Sequence, residues 1–115
     1  MTATPFPGPV LLVIEHDEFI GRLLQRVLKR EGCRVLFAAC GSDALDTAHV
    51  FADWVDLALC GLDVPDMCAD DLATELRAIL PARAPVVMLS GPVGEHELVA
   101  RLQRLLPISV LDVVA

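Results

Sequence analysis

Apolar positions along this chain follow two alternating periods. Val10 to Ile14 (VLLVI), Arg34 to Ala39 (RVLFAA), Asp56 to Cys60 (DLALC), Pro85 to Leu89 (PVVML) and Ile108 to Val114 are short, nearly continuous apolar runs. Runs of that length without polar alternation fit strands covered on both faces. Between them the apolar residues recur at helical spacing. From Asp17 or Glu18 to Glu31 they are Phe19, Ile20, Leu23, Leu24, Val27 and Leu28, which predicts a helix with that stripe turned inward. Gly32 is placed to stop it. Ser42 is a candidate N-cap for a second helix carrying Ala44, Leu45, Ala48 and Phe51, and Asp70 for a third carrying Leu72, Leu76, Ile79 and Leu80. Pro81 and Pro85 end the third. Residues 95 to 106 predict a fourth helix, after the breaker Ser90-Gly91-Pro92.

Five strands and four helices in strict alternation predict an α/β fold with right-handed crossovers. For this size the expected form is a flavodoxin-like, doubly wound, five-stranded parallel sheet of order 2-1-3-4-5. Ligand sites in such sheets lie beyond the carboxyl ends of the strands, where the first and third strands part. The expected site is therefore built by Glu15, His16 and Asp17, by Gly61, Leu62 and Asp63, and by Ser90 and Gly91.

Length and composition narrow the picture. The 115 residues make one domain, with 1–9 as an N-terminal extension, and 55% hydrophobic content excludes a disordered chain. A net charge of −7 argues against a binder of nucleic-acid backbones. Residues 1–14 are uncharged but too short and too rich in proline to span a membrane, and they lack the basic start of a secretory signal. A cytoplasmic location is the expectation. Cys33, Cys40, Cys60 and Cys68 have no zinc-type spacing and read as small apolar residues in a reducing compartment.

With the elements in place, several segments resemble the receiver domain of two-component response regulators. LLVIEHDEFIGRLL resembles its first strand, acidic cluster and first helix. GSDAL resembles its second-helix opening, DLALCGLDVPDM its third strand and phosphorylation loop, and PVVMLSG its fourth strand and switch hydroxyl. The resemblance runs from about Val10 to Val114. It implies an acidic pair and an aspartate that hold Mg²⁺, phosphorylation of that aspartate, and a hydroxyl and a lysine that contact the phosphoryl group.

Several of those parts are replaced. Aligned on Pro65, the phosphoacceptor position is Gly61, which has no side chain to phosphorylate. Glu15 keeps the first acid, but His16 stands at the second, and imidazole is a poor ligand for a hard cation. The only lysine, Lys29, lies in the first helix, whereas Leu111, Asp112 and Val113 stand where the site lysine is expected. Ser90 retains the switch hydroxyl. Glu15, His16, Gly61, Asp63 and Ser90 thus mark a degenerate phosphorylation site with no catalytic residue. Glu15, Asp17 and Asp63 are the oxygens left to bind Mg²⁺ weakly, and no other cofactor is implied.

The expected function is a degenerate receiver that signals through protein contacts, is not an enzyme, and binds neither nucleic acid nor membrane. Two alternatives stand beside it: phosphorylation at a displaced Asp63 with Mg²⁺, and an unrelated small α/β ligand binder. A flavin or nucleotide version is disfavoured, because EHDEF offers carboxylates where a phosphate needs amides. By the resemblance, the receiver's last helix is expected to be missing or truncated here. That predicts an open apolar face around Val110 to Val114, available to a signalling partner or a homodimer.

Overall fold

The structure is a computed structural model of the chain, and it describes residues 8–61, 64–89, 100 and 104. Four strands and three helices alternate: β1 (Val10–Ile14), α1 (Glu18–Arg30), β2 (Arg34–Ala38), α2 (Gly41–Phe51), β3 (Leu57–Gly61), α3 (Ala69–Ile79) and β4 (Val86–Leu89). All strands are parallel, in the order β2-β1-β3-β4. This matches the first four places of the expected 2-1-3-4-5 order. The expected fifth strand lies outside the described residues, and of the expected fourth helix only Ala100 and Arg104 are described, both helical.

β1 is central and buried along its whole length. Because side chains alternate across a sheet, Leu11 and Val13 face one layer and Leu12 and Ile14 the other. The first layer holds Leu24, Val27 and Leu28 of α1 with Leu57 and Leu59 of β3. The second holds Ala44 and Ala48 of α2 and Leu72 and Leu76 of α3. Both faces of β1 are thereby dry, which explains a run with no polar alternation. At its start, the Val10 N–H donates to Asp56 Oδ2 at 2.8 Å, and Arg83 braces Asp56 Oδ1 at 3.2 Å while donating to the Asp53 carbonyl at 2.7 Å.

α1 ends as expected. Gly32 takes φ +86°, a left-handed backbone that favours glycine, and the Gly32 and Cys33 N–H groups donate to Lys29 O and Leu28 O. Its buried face, however, is centred on Gly21, Leu24, Val27 and Leu28. Phe19 is 78% exposed, and Ile20 and Leu23 are each 39% exposed, contrary to the expected inward stripe. At about 100° per residue, Phe19 lies about 150° from the centre of the buried face. The six apolar positions span more arc than one sheet contact can cover.

Both helix starts that looked like local caps differ as well. The N-caps of α2 and α3 are Cys40 and Cys68, and neither makes a side-chain cap bond. Ser42, Asp70 and Asp71 instead lie within the first turns, where the two carboxylates favour the helix dipole. α2 is capped from afar: Asp66 Oδ1 accepts from Gly41 N at 2.7 Å and Asp66 Oδ2 from Ser42 N at 2.9 Å. Those N–H groups, from Ser42 first and Gly41 second, hold the Asp66 carboxyl below the usual carboxylate range. After α2, half-buried Trp54 packs on Phe51 with ring centroids 5.9 Å apart.

Candidate functional site at the carboxyl ends of β1 and β3

The register brings the expected residues to one edge of the sheet. Ile14 lies opposite Ala38 and Cys60, and Gly61 opposite Leu89. The residues that follow β1 and those that close β3 and β4 therefore emerge side by side, where the connections from β1 to α1 and from β3 to α3 diverge to opposite layers. Glu15 extends β1 by one bond, donating its N–H to Ala38 O at 3.1 Å. Gly61 is the last residue of β3 and is buried.

Glu15 is 9% exposed, the only charged or polar residue among the buried described positions. Its carboxylate lies directly against Gly61. A Cβ built on Gly61 would sit 2.7 Å from Glu15 Oε1 and 3.2 Å from Glu15 Cδ, with the Ile14 carbonyl oxygen also at 3.2 Å. Real Cβ atoms do not approach an oxygen as closely as 2.7 Å, so the glycine is what leaves room for the carboxylate. The other oxygen, Glu15 Oε2, accepts from Asp17 N at 3.0 Å.

Asp17 is exposed and serves as N-cap of α1. Its Oδ1 accepts from Phe19 N at 2.9 Å and from Ile20 N at 3.1 Å. Both are donors that a helix start leaves without an internal partner. In the same turn Glu18 pairs with Arg22, an exposed contact one helical turn apart that adds little. His16 is exposed between Glu15 and Asp17. The structure thus unites Glu15, His16, Asp17 and Gly61. Asp63 and Ser90 lie outside the described residues. Among the described residues, no three Asp, Glu, His or Cys side chains gather as a bound metal ion requires.

Residue-by-residue reading missed the contact between Glu15 and Gly61 and the reach of Asp66. The signal for the first was present: a glycine ends one strand at the point where a glutamate follows its neighbour. Asp66 gives no local signal, because its partners lie 24 and 25 residues earlier.

This arrangement of strands, helices and switch point is shared by solved proteins. The receiver domain of the hybrid histidine kinase CckA superposes with a TM-score of 0.77 at 24% identity, covering 84% of this chain and 97% of that one. The fold is that of a receiver domain. A response regulator receiver domain from Clostridium thermocellum gives a TM-score of 0.77 at 17% identity over 88% of this chain and 96% of that one. The chemotaxis protein CheY4 of Vibrio cholerae gives 0.73 at 20% identity over 86% and 99%. Sequence comparisons add two relatives. The chain is 32% identical over 84 residues to the uncharacterized transcriptional regulatory protein YbdJ of Bacillus subtilis, covering 73% of this chain and 35% of that protein. It is 32% identical over 91 residues to the autoinducer 1 sensor kinase/phosphatase LuxN of Vibrio campbellii, covering 79% and 10%. The chain therefore spans about a third or less of the curated relatives it matches. No protein-family model matches it. Among the described residues no helix is long and apolar enough to cross a membrane.

Proposed function

We propose that this receiver-fold chain is a cytoplasmic signalling module of a two-component pathway that acts by protein contact and takes no phosphoryl group at position 61. The observation that carries the reading is the Glu15 carboxylate lying where an acceptor side chain on Gly61 would stand. An acceptor must present an oxygen for in-line attack, with a cation to offset the incoming charge. Here β3 ends without a side chain, and the only lysine lies on α1 rather than at the site. The likeness to receivers of a hybrid histidine kinase and to a stretch of a sensor kinase supports the pathway class.

The residues present do not fit Mg²⁺. One Glu15 oxygen is bound by Asp17 N–H, the Asp17 cap oxygen is bound by two helix N–H groups, and His16 replaces the second acid. On this reading the chain is not an enzyme, its partner is another signalling protein, and the site residues set the shape of the loops that the partner meets.

The test is an NMR titration with Mg²⁺ and beryllofluoride, run beside incubation with acetyl phosphate and intact-mass analysis. The expected result is an unchanged mass and no saturable shift. Saturable shifts clustered at Glu15, Asp63 and Ser90 would overturn the reading. So would a phosphoryl adduct mapped to Asp63.

A further inference from the structure

We infer that the Glu15 side chain is a tethered occupant of the switch point: it fills the volume left by Gly61, excludes a divalent cation from it, and couples that volume to the first turn of α1. This deepens the reading above and rests on it. One close approach and three hydrogen bonds carry the coupling. Glu15 Oε1 lies 2.7 Å from the position of a Gly61 Cβ, Glu15 Oε2 accepts from Asp17 N at 3.0 Å, and Asp17 Oδ1 accepts from Phe19 N and Ile20 N. Each link has one stereochemical requirement. Gly61 must lack a Cβ, Glu15 must present an acceptor, and Asp17 must hold its N-cap conformation.

A cation would compete directly with those links. Divalent ions of this class need several oxygens at about 2.0–2.6 Å around one point. Turning Glu15 toward such a point breaks its bond with Asp17 N–H, and turning Asp17 strips two donors at the start of α1 of their acceptor. With no carboxylate from Gly61, the ion has too few ligands to offset those losses. Glu15 is therefore a positioning residue: it acts on α1 through the Asp17 backbone.

The links predict a coupling between residues 61 and 17 that exists only while residue 15 carries an acceptor. A Cβ at position 61 must push Glu15 aside and release the Asp17 amide. The tight approach to the Ile14 carbonyl oxygen, 3.2 Å, is the same whatever residue 15 is, so it cancels when backgrounds are compared.

The experiment uses the full ¹⁵N-labelled chain as wild type, Gly61→Ala, Glu15→Ala, Glu15→Gln and the Gly61→Ala/Glu15→Ala pair. It measures Asp17 amide exchange and broadening by Mn²⁺. Gly61→Ala is expected to speed Asp17 exchange about fivefold, the loss of one net hydrogen bond, and to have no such effect in the Glu15→Ala background. Glu15→Ala alone should speed it by the same factor, and Glu15→Gln, which keeps an acceptor, should retain the protection. Mn²⁺ should give no saturable broadening at Asp17 or Gly61 below about 1 mM in the wild type. Equal acceleration in both backgrounds, unchanged exchange in Gly61→Ala, or saturable Mn²⁺ broadening in the wild type would overturn the inference. If Gly61→Ala does not fold, the contrast between Glu15→Ala and Glu15→Gln still decides it, and equal exchange in the two refutes the coupling. A phosphoryl adduct on Asp63 with the coupling intact would sink the functional reading alone. A flat cycle without phosphorylation would sink this inference alone.

Discussion

Replacing Gly61 by aspartate puts a carboxylate where β3 ends without a side chain, and the structure says what that costs. The new Cβ would lie 2.7 Å from Glu15 Oε1. A carboxylate on it falls within about 4 Å of the Glu15 carboxylate, where like charges repel by about 4 kcal/mol at an effective dielectric constant of about 20. Glu15 escapes most of this by swinging outward, which sacrifices the bond from Asp17 N–H at about 1 kcal/mol. The cheaper route sets a floor and the unrelieved repulsion a ceiling, so Gly61→Asp should destabilise the fold by about 1–4 kcal/mol at about pH 8. The sign of its pH dependence follows from the crowding. Two adjacent carboxylates disfavour double ionisation, so in the folded variant one of them keeps a proton above the ordinary carboxylate range. The folded variant then binds more protons than its unfolded chain, and its deficit relative to wild type shrinks as pH falls, losing its electrostatic part near about pH 4 where unfolded carboxyls also protonate. Urea unfolding of both proteins at several pH values measures the deficit directly. No measurable cost at about pH 8, or a deficit that grows toward acid, would refute the placement of Glu15 over Gly61.

Asp66→Ala should destabilise α2 at neutral pH. Because its folded carboxyl is held below the usual range by the Ser42 and Gly41 N–H groups, the stabilisation is present above the unfolded value and lost as pH falls through the folded one. Urea midpoints of wild type and variant should therefore converge in acid. Asp56→Ala leaves the buried Val10 N–H without its acceptor and should cost about 1–3 kcal/mol, whereas Arg83→Ala, whose side chain is half exposed, should cost less than about 1 kcal/mol. Equal costs by urea unfolding would contradict that ranking. Burial pushes the Cys33 and Cys60 thiols up to about 11, with Glu31 and Asp56 adding to the rise at Cys33, so neither should be alkylated by iodoacetamide in the folded chain, while exposed Cys68 is. Peptide mass mapping checks it. Phe19→Ser, at a position 78% exposed, should change stability by no more than about 0.5 kcal/mol by the same unfolding assay.

The alternation of apolar periods made most of the fold legible before any geometry. Each described strand begins and ends within one residue of its apolar run, and for β1 and β3 the reason is that a strand dry on both faces leaves no ambiguity of period. β3 starts and ends one residue later than read, since Gly61 still pairs with Leu89. Local chemistry served where the partners are local: Gly32 and Asp17 act as their positions imply. It failed where partners are remote. Ser42 and Asp70 look like caps, yet α2 takes its cap from Asp66 across the loop after β3. Phe19 and Ile20 belong to the apolar stripe by spacing but sit beyond the arc that the sheet covers. At the site, that β3 closes on a glycine was readable from one position. That Glu15 lies in the vacated space was not, because it depends on the register between β1 and β3.

The central place of β1 has a consequence for how the chain emerges during synthesis. β1 is the first strand made, yet one of its two neighbours is β3, with Leu11 opposite Leu57 and Val10 tied to Asp56. Until that stretch has been synthesised, VLLVI can pair only with β2 and keeps one edge of unpaired backbone on a run of five apolar residues. Such an edge is an invitation to pair with another chain. Completing it requires a contact between residues 46 apart in sequence, a closure slower than any local turn. The nascent chain is therefore most exposed to aggregation in the interval between the appearance of β2 and that of β3. Substitutions that weaken the pairing of β1 with β3 should lower soluble yield before they lower the measured stability of whatever molecules do fold.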